Sequence, residues 1–329
     1  MKNTKLKKYL CKTLKKDNIK IHEIKGDASK RKYYRINHNK KTLMIMDSGL
    51  ETRNFNNFIK YTNIFSENKI KIPEIFHINN SKKIIVMQDL KHNLFFEKIN
   101  NKNLLKIYKN AIDNILKIQE IRKSSINSYT VKKYYDESFL FTDWLLKGFC
   151  NLKLSKKDLN EISKSINFII DKINYSDKKL VHRDYHSKNL FFINNKTVII
   201  DYQDAVYGSP LYDVVSLLND CYRDIDKNTK KTLKIFFFKR FTDKNNINLP
   251  YKKFIESFNF VTVQRHMKAS GIFCRLSIKH KRHNYIQYLD RTLNYIVDAT
   301  KNYDNLYILN LFAKEAINKI HESNNSSSW

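Results

Sequence analysis

The sequence predicts an α+β fold of two lobes: a small N-terminal antiparallel sheet with one helix, then a larger, mainly helical C-terminal lobe. Three observations carry this. Short runs with strand periodicity, separated by polar turns, fill the chain up to about residue 90. Helical spacing of apolar residues dominates from Asn101 onward. A chain of 329 residues, 42% of them apolar, has the material for a sizeable core.

Taken in order, Leu6, Tyr9, Leu10 and Leu14 have the spacing of an amphipathic first helix. Residues 19–24 and 33–37 read as strands on either side of the turn-rich Gly26-Asp27-Ala28-Ser29-Lys30-Arg31, and 42–47 as a third after a turn at 37–40. Ser48 and Glu51 have capping-box spacing and open a helix with the stripe Phe55, Phe58, Ile59, Thr62 and Phe65. Strands at 74–78 and 83–87 complete a five-stranded sheet with its helix inserted after the third strand. Strand signals end between Gln88 and His92, so the lobes divide as residues 1–91 and 92–329. Beyond, the helical pattern is interrupted at 180–201, where 190–193 and 197–200 form a hairpin around Asn194-Asn195-Lys196. Ser209 as N-cap and Pro210 at the first helical position then open a helix that buries Leu211, Val214, Val215 and Leu218. The tail from Glu322 to Trp329 is polar and Ser-rich and is expected to fray.

Composition narrows the function classes. The aromatic content, 13%, excludes a disordered chain, and five Gly with three Pro exclude collagen-like and loop-dominated scaffolds. Cys11, Cys150, Cys221 and Cys274 are widely spaced with no CxxC, which argues against a disulfide framework or zinc site and fits a reducing compartment. No apolar run has the length of a secretory signal or membrane span, so the chain reads as soluble and cytoplasmic. A net charge of +30 invites a nucleic-acid partner. Yet Lys far exceeds Arg, Asn and Ile are abundant and Gly and Pro scarce, the bias of A/T-rich codons. The lysines are dispersed, not striped along one helix.

The chemistry is concentrated in Val181-His182-Arg183-Asp184-Tyr185-His186-Ser187-Lys188-Asn189 and in Ile200-Asp201-Tyr202-Gln203-Asp204. Phosphoryl transfer needs a carboxylate to accept the proton of an attacking hydroxyl, and an amide oxygen and second carboxylate to hold Mg²⁺ against the phosphates. Asp184 and Asn189 on one irregular loop, with Asp201 returned by the hairpin, meet that need. An Asp and Asn at this spacing mean little alone; the flanking His-Arg, the hairpin and the apolar strand ending in Asp make the pattern specific. Asp213, one turn into the next helix, is either a buried brace for the loop backbone or a solvated helix-terminal carboxylate. With no Cys nearby and no helical His pair, the histidines suit loop-ordering hydrogen bonds better than zinc.

These residues resemble the aminoglycoside-phosphotransferase and choline-kinase-like superfamily, whose fold is that of protein kinases. Gly26-Asp27-Ala28-Ser29 with Arg31, the strand ending Ile45-Met46-Asp47, Tyr135-Asp136-Glu137 through Trp144-Leu145-Leu146, and Gln264-Arg265-His266-Met267-Lys268-Ala269-Ser270-Gly271-Ile272-Phe273 are similar to the anomeric kinases of N-acetylmuramate and N-acetylglucosamine. The resemblance implies ATP and Mg²⁺ as cofactors, Asp184 as catalytic base, and Asn189 and Asp201 as metal ligands. It also implies a phosphate-covering loop containing Gly26, Ala28, Ser29 and Arg31, a hinge at Gln88, Asp89 and Leu90, and support from His182, Arg183 and Asp213. The product would be a sugar 1-phosphate of cell-wall recycling. The third strand lacks the Lys that holds phosphates in protein kinases, which leaves Arg31 and Arg35 as candidates, against a reading as solvated hairpin residues. Asp204, Trp144, Arg265 and His266 are eligible sugar contacts, although Trp144 and His266 also suit helix packing. The alternatives are a kinase for an aminoglycoside or choline-like alcohol, which would call for an acidic cleft, or a basic nucleic-acid-binding or scaffolding protein on a kinase-like fold. The presence of Asp184, Asn189 and Asp201 together argues against a retired enzyme.

Overall fold

The computed structural model describes residues 3–24, 31–39, 41–49, 51–100, 102–174 and 177–326. The chain runs through α1 (Asn3–Leu14), β1 (Ile21–Ile24), β2 (Lys32–His38), β3 (Lys41–Asp47), α2 (Thr52–Glu67), β4 (Ile75–Asn79), β5 (Ile84–Gln88) and the single turn α3 (Phe95–Lys98). It continues through α4 (Leu104–Ile118), α5 (Val131–Leu140), a π-helix (Phe141–Phe149), α6 (Lys156–Ile173), β6 (Lys179–Val181) and the hairpin β7 (Leu190–Ile193) and β8 (Lys196–Ile199). There follow β9 (Val206–Gly208), α7 (Tyr212–Leu218), α8 (Lys227–Asn245), α9 (Tyr251–His280), α10 (Leu289–Thr300) and α11 (Tyr307–Ser326). Two compact units result: residues 1–100 with 189–204, and residues 101–188 with 205–329. No described helix is long and apolar enough to cross a membrane.

In the first unit the sheet order is β1-β2-β3-β5-β4, antiparallel throughout. Side chains alternate across a strand, so Tyr34 and Ile36, Leu43 and Ile45, and Ile84 and Val86 share one face. They are buried with Leu6 and Leu10 of α1 and with Ile19. Tyr34 pairs with Ile45 and Ile45 with Val86, so the apolar face fixes the register of three strands. The β7–β8 hairpin belongs to this unit through two backbone bonds, Phe192 N–H to Asn93 O (2.9 Å) and Ile199 N–H to Lys71 O (3.0 Å).

The expected capping box at α2 does not form. The helix starts at Thr52 after Glu51, which makes no side-chain cap bond. Asp47 Oδ1 instead accepts Gly49 N–H (2.9 Å), Gly49 sits at φ +54°, and Glu51 Oε2 takes Asn54 Nδ2 (2.7 Å). The turn leaving β3 thus directs the carboxylate away from its cap.

The second unit is built on α9, 30 residues long and buried over most of its length from Phe254 to Ser277. It packs against α5, the π-helix, α6, α7 and α10. A Cβ on Gly271 would lie 2.4 Å from the Leu140 carbonyl, so only glycine lets α9 approach the end of α5 this closely. Strands β6 and β9 pair antiparallel. Ser209 and Pro210 do not open α7 as expected. Leu211 is its N-cap, and Ser209 O accepts Tyr212 N–H (3.0 Å) in a turn that delays the helix by two residues. Helix α11 runs to Ser326, held in its earlier turns by the buried stripe Leu309, Phe312, Ala313, Ala316 and Ile320; the rest of the tail read as frayed, residues 327–329, lies outside the described residues.

Candidate active site

In the second unit, the loop after β6 is tied down by two carboxylates from outside it. Asp213, fully buried on α7, accepts the N–H of His182 (2.7 Å) and of Arg183 (3.0 Å). Burial pushes its carboxyl up to about 6, against the pull of His182 and these two bonds. Asp220 holds the other end, accepting Ser187 N–H (2.8 Å) through one oxygen and Tyr222 N–H (2.8 Å) through the other. Tyr185 is buried and donates to Ala111 O (2.9 Å). Arg183 adopts φ 76°, a conformation costly for a non-glycine residue and maintained by these contacts.

Asp184 stands between the anchors with its carboxylate 39% exposed. Its N–H lies 3.3 Å from His182 Nδ1, and Lys268 Nζ of α9 lies 3.6 Å from its Oδ1. Burial opposes ionisation, but Lys268 and Arg183, followed by His186 and His182, hold the carboxyl well below the usual range. Glu137 of α5 completes the cluster: it takes Arg183 Nη2 (2.5 Å) and Tyr129 Oη, with Lys268 Nζ at 3.7 Å. Burial would raise it, but Lys268, Arg183 and Tyr129 bring it down to about 2. Burial lowers His186 to about 4, so the ring is neutral at neutral pH.

Arg183, Asp184, His186, Arg265, Lys268 and Phe273 line a cavity of about 80 Å³. Of the four residues read as sugar contacts, Arg265 alone is on its wall, bonded to Ser216 Oγ (2.8 Å) and Cys221 Sγ (3.2 Å). His266 is buried beside it, but its ring nitrogens face the carbonyls of Thr262 and Asn219, both at 2.7 Å, and it serves helix packing. Trp144 sits on the π-helix under Lys279, 4.9 Å from its ring centre, and does not line the cavity. Asp204 is exposed, in the first unit. Lys268 and Glu137 carried no role in the sequence reading. The available signal was a lysine inside an otherwise buried helix, three residues after Arg265.

In the first unit, Asn189 and Asp201 occupy the open end of the hairpin, where Asn189 O accepts Ile200 N–H (3.1 Å). Asp201 is at φ 62°, its carboxylate 44% exposed, with Gln203 Nε2 at 2.8 Å and Arg31 Nη2 at 3.5 Å. Arg31 is buried, not a solvated hairpin residue. Arg35 is bound to Asp89 by two bonds (2.6 and 3.0 Å), which together with Lys91 N–H lower the Asp89 carboxyl although burial opposes it. The guanidinium of Arg35 is therefore engaged at the segment read as the hinge, where Leu90 is buried and Gln88 N–H is donated to Glu74 O (2.8 Å). Gly26, Ala28 and Ser29 lie outside the described residues. The side chains of Asn189 and Asp201 offer only oxygen donors of the kind magnesium prefers, one amide and one accessible carboxylate. Among the described residues no group of three or more His, Cys, Asp or Glu side chains is placed to hold a metal ion.

Residues 20–238 match the phosphotransferase enzyme family. The chain belongs to that family. Similar curated proteins include the N-acetylmuramate/N-acetylglucosamine kinase of Neisseria meningitidis serogroup B, 24% identical over 92% of both chains. A kinase of the same name from Pseudomonas putida is 25% identical over 82% of this chain and 80% of its own. Among solved structures, the phosphotransferase is similar in fold to choline kinase LicA from Streptococcus pneumoniae, with TM-score 0.60, 10% identity and coverage of 91% and 97%. It is also similar to a thermostable mutant of aminoglycoside phosphotransferase APH(4)-Ia, with TM-score 0.58, 10% identity and coverage of 91% and 99%. The fold of this phosphotransferase, a five-stranded antiparallel sheet followed by a mainly helical region, is thus the kinase-like one expected from sequence.

Proposed function

We propose that this phosphotransferase is an ATP-dependent, cytoplasmic kinase that phosphorylates the anomeric hydroxyl of N-acetylmuramate or N-acetylglucosamine, as the names of its curated relatives suggest. The observation that carries the choice of acceptor is the charge of the cavity at Asp184. Arg183, Arg265 and Lys268 line it with Asp184 and a neutral His186. After Glu137 has balanced part of the charge of Arg183 and Lys268, the wall remains without the acidic excess that cationic acceptors such as aminoglycosides and choline would call for.

In this reading Asp184, ionised and partly exposed, accepts the proton of the sugar hydroxyl as its oxygen attacks the γ-phosphorus and ADP departs. Asp213, with His182 and Arg183, sets the loop that aims it. Asn189 and Asp201 would hold Mg²⁺, which when bound neutralises phosphate charge. Arg31, beside Asp201, is the basic group best suited to add to that charge, because Arg35 is bound to Asp89. Gln88, Asp89 and Leu90 would meet the adenine, with Gly26, Ala28 and Ser29 over the phosphates.

An ATP-consumption screen over both N-acetylated sugars, other hexoses, choline and an aminoglycoside tests the proposal. Turnover with the N-acetylated sugars, and a phosphorus resonance from an anomeric phosphate, is the expected outcome. Turnover with choline or the aminoglycoside alone would overturn it.

A further inference from the structure

We propose that Lys268 is a positioning residue for phosphoryl transfer: anchored by Glu137, its ammonium fixes one oxygen of the Asp184 carboxylate and leaves the other to the acceptor hydroxyl. This rests on the assignment of Asp184 as the base. Lys268 lies deep in α9, its side chain 10% exposed, where an ammonium is costly unless paired. It stands 3.6 Å from Asp184 Oδ1 and 3.7 Å from Glu137 Oε2, ion-pair distances to both and longer than a direct hydrogen bond to either. Glu137 is also bound by Arg183, by Tyr129 and, at 3.2 Å, by Lys133 Nζ, so its position does not rest on Lys268 alone. It therefore acts as the fixed end of the bridge and Asp184 as the end that is held.

The backbone sets the reach. Gly271, one turn after Lys268, lies against the carbonyl of Leu140, one turn after Glu137. That close approach of α9 and α5 keeps the ammonium over the loop. The charged and titratable groups facing Asp184 include His182, Arg183 and His186 from its own loop, Asp213 from α7 and Lys268 from α9; those facing Lys268 include Asp184, Glu137, Arg183 and Tyr212. Lys268 joins the Asp184 carboxylate to α9, an element outside the loop's own chain segment.

The test compares Lys268→Met and Lys268→Arg with the parent enzyme and with Asp184→Asn, following kcat, KM for ATP and for sugar, and the acid limb of kcat/KM. Lys268→Met should lose about 100-fold in kcat, the scale of a misplaced general base, with ATP KM within about twofold. Removing a cation raises the pKa of the carboxylate it faced, so the acid limb should move upward by about one pH unit or more. Lys268→Arg should recover most of kcat and return the limb. If Lys268→Met fails to fold, as judged by its melting transition, Lys268→Gln should give the same signature. A rise in sugar KM with kcat and the acid limb unchanged, or full activity, would overturn the proposal while loss of turnover in Asp184→Asn leaves the base assignment standing. Turnover retained in Asp184→Asn would overturn the base assignment itself, and the positioning role with it.

Discussion

Glu137 is the residue whose electrostatics have the plainest consequence for stability. Its folded-state pKa of about 2 lies below the ordinary 4.5, so its contribution is complete above pH 4.5 and is lost as pH falls through 2. Glu137→Gln should therefore cost up to about 3 kcal/mol at neutral pH, the size of a shift of this extent. The gap between variant and parent should narrow on acidification; melting curves from pH 7 to pH 3 measure it. A constant gap would mean that Glu137 acts through shape and not charge. The residue also marks a limit of sequence reading. Asp184, Asn189 and Asp201 stood out because they fall within a short stretch of chain with a fixed spacing. Lys268 reaches Asp184 from 84 positions away, and Glu137, 47 positions away, meets Lys268 and Arg183, counted from their residue numbers. The packing of α5 and α9 brings them to the loop.

Among the elements, α9 depends most on a single atom's absence. Gly271→Ala would set a methyl group against the Leu140 carbonyl, and should destabilise the protein by about 1–3 kcal/mol, the usual cost of overpacking. Denaturant midpoints would register this, and a loss of turnover beyond the fraction unfolded would show α9 lifting Lys268 from the loop. A wild-type midpoint would mean that α5 yields freely. The sheet, its inserted helix and the hairpin were legible from periodicity, because each strand has one buried face. Helix starts were less so. Ser155 and Asp158 form a full capping box, yet the same spacing at Ser48 and Glu51 does not, since the turn leaving β3 diverts the glutamate. A cap depends on how the chain enters the helix, which spacing alone does not record. The π-helix had no sequence signal at all; it follows Leu140 directly, at the close approach of Gly271.

For the whole molecule, the net charge of +30 calls for a comparison between an anionic and a neutral substrate. N-acetylmuramate carries a carboxylate that N-acetylglucosamine lacks, so a positive field should steer only the former. Raising ionic strength from 0.01 to 0.15 M, which contracts screening from about 30 to 8 Å, should lower kcat/KM several-fold for N-acetylmuramate and little for N-acetylglucosamine. Equal salt dependence would leave the charge as codon-biased background, the reading favoured by its dispersal along the chain. The first unit has a different consequence, one of timing. Tyr202 stacks on Phe58 and shares a hydrogen bond with Thr62 (2.8 Å), while Arg31 reaches Asp201, so residues of the first hundred are completed by partners encoded much later. A ribosome adding about 5–20 residues per second needs roughly 5–20 s to make that intervening stretch. Through that interval α2 stands with Phe58 and Thr62 lacking their partner Tyr202, so its docking is finished only after the hairpin has been made.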